Sequence, residues 1–422
     1  MEPIIRPNII TLELESKNIL AVMIEEIPQN QKPCYYKPKG VKNGSYTRVG
    51  DRDDLMTDYE LYSLQCYREH IFDDVRPTKN ASIDDLNLEE LNLYIDKIKS
   101  IKPNFSKNSF DKCLKLCRII DSNSELIYPT LAGIMTFGEY PQSFYLQLFV
   151  ACIVVPGTEL GDTGTMGERF IDNKRIEGTI EEMLEGTMNF LRRNMKTKVI
   201  IDSNGKRKNK TEYPLEALRE AVANALIHRD YSTQTQNAYI SVNMYEDRIE
   251  VLNPGSFYGS NKLEKLGTDK TLESRNPAIV RILEEKGSII ENRHTGIPTM
   301  IREMKNHGLE APEFYEERDS FRVVFRNNVL KNNKKTFCEK ASDTQSGQQS
   351  GQQSGQQSYK NIVLEFCTEP KTMKEIKEIL KINSRQYISS NIIKPLINEG
   401  KLEYINKSSV YAKNQKYITK KN

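Results

Sequence analysis

No Gly-x-x-x-x-Gly-Lys-Ser/Thr phosphate loop occurs anywhere in the 422 residues, which argues against a motor protein of the P-loop kind. Long apolar runs are missing too. The longest, Tyr145 to Val155, is interrupted by Gln147 and is far too short to span a bilayer, so it is expected to be a buried strand. The opening Met1-Glu2-Pro3 shows no basic-then-apolar layout, and no secretory leader or membrane association is expected. Cysteine is sparse and unpaired: seven residues are scattered at 34, 66, 113, 117, 152, 338 and 367. An odd count without a spaced framework suits a reducing compartment, so the expected location is cytoplasmic. Cys113 and Cys117 would share a helix face, but no other Cys/His pair lies near them to complete a zinc site, so both read as core thiols. Coiled-coil heptads are absent as well.

What is present is ordinary for a soluble protein, at 37% hydrophobic and 28% charged residues. The length allows two or three domains, each with its own core. The net charge of +3 identifies no partner, but its distribution does more. Residues 359–422 carry 13 Lys+Arg against 6 Asp+Glu, a net +7 that leaves −4 for the rest. A basic C-terminal module on a slightly acidic body points to an anionic partner.

The richest stretch is Leu218 to Tyr231, LREAVANALIHRDY. Glu220 and Asn224 stand one helical turn apart on one face, and His228 continues that stripe. Leu218, Val222 and Ala225 form the buried stripe beside it, and Ala221, Ala223 and Ala225 leave room for a ligand. An Asn carbonyl oxygen can hold Mg²⁺, and a Glu can take a proton from attacking water. The competing reading is a solvated helix face. Next, Ile240, Val242 and Met244 alternate, then Ile249 and Val251, with Tyr245 to Asp247 as the turn of a hairpin. It delivers Asn253-Pro254-Gly255 to a strand end, where a Gly permits close backbone approach. Farther on come Ser274-Arg275-Asn276-Pro277 and His294-Thr295-Gly296-Ile297, the latter opening a helix to about Asn306. A Gly at a helix start places free N–H groups where phosphates bind. Phe321, Val323 and Phe325 alternate as a closing strand.

This order of motifs resembles the divergent histidine-kinase-like (GHKL/HATPase) ATP-binding domain of a family of transcriptional regulators. Members carry a Schlafen-type AlbA domain in front, and many are labelled helicase-related. The resemblance implies ATP and Mg²⁺ as cofactors, with Glu220 as general base and Asn224 as the Mg²⁺ ligand. It implies that Asn253 and Gly255 border the adenine and that Arg275, Asn276, Thr295 and Gly296 form a phosphate lid, with His228, Arg229 and Asp230 also at the nucleotide. Two departures bear on turnover. The wider superfamily usually offers an Asp to the adenine amino group where this chain has Asn253, a weaker acceptor without charge. His294 stands where related chains tend to have another Gly.

Residues 1–75 resemble the C-terminal part of the AlbA-type domain, with paired strands at Ile9–Leu14 and Ile19–Ile24 and the Tyr46-x-Arg48-x-Gly50 turn before a helix. The front of that domain is not evident, so this block is expected to need a partner chain or the next domain to cover a sheet edge. Lys37, Lys39, Lys42, Arg48 and Arg52, interleaved with Tyr35, Tyr36 and Tyr46, suit a nucleic-acid backbone. The alternative is a polar hairpin whose Arg48 and Arg52 pair with Asp51, Asp53 and Asp54. Residues 76–205 read as a connector packing on the core, with helices at 84–100, 109–120 and 180–194 and strands near 126–137 and 147–155. Thr197 to Lys210 reads as a basic hairpin turning at Asn204-Gly205. Residues 206–330 are the expected ATPase domain. Residues 331–358, with Ser-Gly-Gln-Gln repeated three times, read as a flexible linker.

Residues 359–422 read as a winged helix-turn-helix. Thr372 caps Met373–Leu380 with Glu375 in a capping box, Ser384 caps a second helix, and Gly400 stops it. Arg385, Gln386, Ser389 and Ser390 would then face DNA bases, with Lys407, Lys413 and Lys416 on phosphates. The expected fold class is therefore α+β: a partial AlbA-type β-rich block, a Bergerat-like α/β sandwich and a winged helix. The expected function is an ATP-binding, DNA-binding regulator whose nucleotide state modulates DNA engagement. An ATPase acting on DNA, and a DNA-binding or interaction protein with a degenerate nucleotide site, are the alternatives. Relatives commonly dimerise, so a homo-oligomer is a further implied partner.

Overall fold

A computed structural model describes residues 1–14, 17–49, 51–121, 126–201, 207–263, 266, 273–287, 296–327, 360, 362–380, 388–398, 400–405 and 416–420. The chain divides into two compact units, Met1–Thr336 and Phe337–Asn422.

The first unit opens with the antiparallel hairpin β1 (Asn8–Leu14) and β2 (Lys17–Met23), followed by the small hairpin β3 (Tyr46–Val49) and β4 (Arg52–Leu55). Both faces of the first hairpin carry exposed apolar side chains, from Ile9 to Met23, and among the described residues its strands pair only with each other. Helix α1 (Asp58–Glu69) starts with a reciprocal capping box between Thr57 and Glu60. Then come α2 (Leu88–Ile101), α3 (Phe110–Leu116) and α4 (Leu131–Phe137). Of the strand expected near 126–137, Tyr128–Pro129 pairs with Ile120–Asp121, and the rest is corrected to this helix. Thr130 Oγ1 accepts from Gly133 N at 3.0 Å, and all seven residues of α4 are buried. A helix buried on every side has no polar stripe to betray its period.

The main sheet has six strands in the order β11–β12–β10–β9–β5–β6, with β5 (Val150–Val154), β6 (Asp172–Ile176), β9 (Ile240–Met244), β10 (Arg248–Pro254), β11 (Glu313–Glu316) and β12 (Ser320–Arg326). Only β5 and β9 run parallel; the other neighbours are antiparallel. Helix α5 (Ile180–Asn194) lies on β5 and β6 and packs on α6 (Leu215–His228), which contacts β10. Between α5 and α6 is the basic hairpin β7 (Thr197–Ile201) and β8 (Arg207–Thr211), whose expected turn at Asn204-Gly205 lies outside the described residues. Helices α7 (Pro277–Lys286) and α8 (Gly296–Asn306) complete the layer, α8 packing on α6.

One continuous core joins α2–α8 to the sheet, from Ala81 to Phe325. Residues 76–205 supply two of its strands and α5, so the boundary expected near 205 falls inside this unit. Cys113, Cys117 and Cys152 are core thiols at 0%, 1% and 0% exposure. Ala221, Ala223 and Ala225 are buried too, so the space those small residues leave is taken up by helix packing.

The second unit has its own core of Val363, Ile376, Ile388, Ile392, Leu396 and Leu402 among others. Its three-stranded sheet runs β13 (Lys371–Thr372), β15 (Lys416–Thr419), β14 (Leu402–Tyr404). Thr372 and Glu375 form the expected capping box of α9 (Met373–Leu380), Thr372 Oγ1 donating to Glu375 Oε2 at 2.7 Å. Gly400 at φ +71° follows α10 (Lys394–Asn398), where Lys401 N donates to Leu396 O at 2.9 Å. The chain is of mixed α/β architecture in which no described helix is long and apolar enough to cross a membrane.

Candidate functional site

Helix α6 places the expected stripe as the sequence implies. Glu220 and Asn224 are half-buried and His228 is exposed, while Leu218, Val222 and Ala225 turn into the core. The N-terminus of α8 arrives opposite that stripe. A Cβ built on Gly296 would lie 2.8 Å from Asn224 Nδ2 and 2.9 Å from Glu220 Oε2. Gly296, Asn224 and Glu220 therefore meet at one point, and a larger residue in the place of the glycine would push both side-chain tips aside. The first N–H groups of α8 and the helix dipole favour negative charge there. Thr295 and His294 lie outside the described residues.

The residues expected beside the base lie at the end of β10. Asn253 alternates with Ile249 and Val251, which are core residues, so its side chain faces the helix layer. It is 7% exposed, and its Oδ1 has no hydrogen-bond partner among the described residues. A buried amide oxygen left unpaired costs about 1–3 kcal/mol, and a ligand N–H donor would recover that loss. The orphaned oxygen of Asn253 thus fits the 6-amino group of an adenine. Asp230 N donates to Pro254 O at 3.1 Å, which fixes this strand end beside the end of α6.

Four expected ligands have other partners. Asp230 and Arg275 form a buried ion pair directly against Gly255. Gly255 has φ +107°, and a Cβ there would lie 2.5 Å from Asp230 Cβ, so only glycine fits. Burial alone would raise the Asp230 carboxyl, but the Arg275 charge and hydrogen bonds from Ser232 hold it below the usual range. Arg275 Nη2 also donates to Ser256 O at 2.9 Å. Asn276 is fully buried, its Nδ2 donating to Ile227 O at 2.8 Å and Arg229 O at 2.7 Å, where α6 runs out of its own donors. Arg229 Nη2 donates to Thr235 O and Ala238 O at 2.8 and 2.6 Å, and burial lowers its pKa to about 10. Arg229, Asp230, Arg275 and Asn276, the residues implied for the lid and the nucleotide contact, together form a latch in this structure. Its partners are backbone groups and each other, which leaves these side chains turned inward.

Two residues outside the motifs complete this latch. Tyr59 of α1 accepts from Ser256 N at 3.1 Å, directly after the Asn253-Pro254-Gly255 turn. Asp74, fully buried, accepts from Ala278 N at 2.7 Å and Ile279 N at 3.2 Å and so caps α7 behind Pro277. Neither lies near those motifs in sequence, and only the fold brings them there.

The expected basic nucleic-acid contacts of the first unit are exposed, and most have acidic or hydroxyl partners. Arg48 pairs with Asp53 at 2.9 Å, Arg52 with Asp54 at 2.9 Å, Lys37 with Glu2 at 3.2 Å, and Lys39 lies 3.5 Å from Tyr46 Oη. That is the polar-hairpin arrangement at the level of single residues. Ser389 is half-buried at the start of a wide helical turn, Ser389–Ile393. Arg385, Gln386, Lys407 and Lys413 lie outside the described residues. No group of His, Cys, Asp and Glu among the described residues is arranged to hold a metal ion.

Residues 237–325 match the family described as "Putative ATP-dependent DNA helicase recG C-terminal". That stretch runs from the strand before Asn253 to the closing strand β12, and it makes this part of the chain an ATPase-like domain. It leaves Glu220 and Asn224 just outside the matched span. Residues 64–147 match a second family, described as a domain of unknown function. A search of the curated proteins returned no match. Among solved structures, the crystal structure of the DIP2311 protein from Corynebacterium diphtheriae aligns at 16% identity and a TM-score of 0.45, covering 94% of this chain and 72% of that one. That likeness is too distant to say what either chain does.

Proposed function

We propose that this protein binds ATP with Mg²⁺ between α6 and α8 and binds DNA through its basic C-terminal unit, the nucleotide state modulating DNA engagement. The convergence of Glu220, Asn224 and Gly296 carries this reading. In it, the Asn224 carbonyl oxygen would hold Mg²⁺, the α8 N-terminus would receive the phosphates, and the Asn253 amide would meet the base. The bound nucleotide would supply a terminal phosphoryl group open to attack by water. Glu220, beside that position, would orient the water and accept its proton. The core would then belong to the Bergerat class, and the C-terminal unit would act as a winged helix with Arg385, Gln386 and Ser389 toward bases and Lys407 and Lys413 on phosphates.

Fluorescence anisotropy with a labelled duplex tests the combination. The expected result is binding that weakens steeply with added salt and shifts when Mg-ATP is supplied. DNA affinity indifferent to ATP would remove the switch. The position of Glu220 beside Gly296 also favours a second reading, an ATPase acting on DNA. Turnover lost in Glu220→Ala with ATP binding retained would select it.

A further inference from the structure

We propose that Asn253 makes the nucleotide pocket accept 6-oxo purines as well as adenine. The inference rests on the nucleotide-site reading above and concerns which base that site selects. Asn253 is 93% buried, faces the helix layer from the end of β10, and presents an oxygen that no described protein donor engages. The strand end itself is fixed, because Pro254 O accepts from Asp230 N and Gly255 N donates to Asp319 O at 2.7 Å. No described protein donor holds the oxygen end of the carboxamide in place.

A carboxamide carries an acceptor and a donor side by side. Adenine presents a 6-amino donor next to the N1 acceptor, which match the amide oxygen and nitrogen respectively. Hypoxanthine and guanine present a 6-oxo acceptor next to an N1–H donor, the reverse pattern. A half-turn about the last side-chain bond exchanges oxygen and nitrogen, and the same Asn253 then matches the reversed edge. Rotation about such a bond is broad and roughly two-fold, so both orientations are available. A carboxylate in that place has acceptors only. It would satisfy the adenine amino group and repel a 6-oxo oxygen. Asn253 therefore removes the electrostatic basis for rejecting 6-oxo purines, because rejection needs a mismatched polar group left unpaired.

The test is calorimetric binding of Mg-ATP and Mg-ITP to the full chain and to Asn253→Asp. ITP is the probe because it differs from ATP only around the purine 6-position. The expected result is affinities within about tenfold of each other in the wild type, and at least about a tenfold loss for ITP alone in Asn253→Asp. A wild-type preference of a hundredfold or more for ATP would overturn the inference while leaving the nucleotide site intact. So would an Asn253→Asp variant that weakens both nucleotides equally, or one that changes neither. If Asn253→Asp fails to fold, the wild-type ratio alone decides. Absence of binding by either nucleotide would overturn the site itself and this inference with it.

Discussion

Gly296 at the start of α8 touches the Asn224 side chain of α6, with 2.8 Å from the position of a Cβ to Asn224 Nδ2. The same position lies 2.9 Å from Glu220 Oε2, so one added methyl group meets both side-chain tips of the stripe at once. Both are the tips of flexible side chains, which can swing aside at small cost to folding. Gly296→Ala is therefore expected to leave the melting temperature nearly unchanged and to weaken Mg-ATP binding by at least about tenfold. Calorimetry beside a thermal melt reads both quantities, and undiminished affinity would place the phosphates elsewhere.

Arg275 belongs to the buried latch, with Asp230, Ser256 O and Gly255 around it. Removing one member of a buried ion pair leaves the other charge uncompensated, at a cost of about 3–5 kcal/mol. Arg275→Ala is expected to lose that order of stability in urea denaturation. A variant of wild-type stability that has lost only nucleotide binding would return Arg275 to the lid.

Asp74 gives a pH signature. Burial pushes its carboxyl up to about 6, against the pull of the Ile279 and Ala278 N–H groups. The folded value lies above that of an unfolded Asp, about 3.9. The native state therefore retains a proton that the unfolded chain releases between those values. The contribution to stability is full below about pH 4 and is lost as pH rises through about 6. Asp74→Asn abolishes this titration while an amide oxygen still accepts from Ala278 N. Urea midpoints at pH 4 and 7 are expected to show the Asn variant gaining on wild type by on the order of 2 kcal/mol as pH rises. A difference that is flat with pH would contradict the assignment.

Tyr59 ties α1 to the turn after Asn253-Pro254-Gly255 through Ser256 N. Tyr59→Phe leaves that half-buried donor unpaired and is expected to cost on the order of 1 kcal/mol. Amide exchange at Ser256 should accelerate in the same variant. Unchanged exchange there would mean that α1 does not hold the turn.

Much of this was legible in the sequence, where a face is half-buried and its period shows. The stripe of Glu220, Asn224 and His228, the 240–254 hairpin, α5 and the Thr372 capping box fall where spacing puts them. Legibility fails where burial is complete or pairing is long-range. Helix α4 is apolar on all sides and so has no readable period. The edge strands β6 and β11 are polar and short, and their pairing with β5 and β12 supplies what their composition does not. The resemblance implies that Arg275 and Asn276 are ligands; the carbonyl partners of Asn276 come from the end of α6, nearly fifty residues away, and that of Arg275 from Ser256, which no local pattern announces. The Arg48–Asp53 pair was readable from the alternation of charge across the β3–β4 hairpin.

Calorimetry of Mg-ATP with the wild-type chain and with Asn224→Ala tests the central claim most directly. The predicted result is Mg²⁺-dependent binding to the wild type that Asn224→Ala abolishes without unfolding the protein. Equal Mg-ATP affinity in the two proteins would contradict the site formed by Glu220, Asn224 and Gly296.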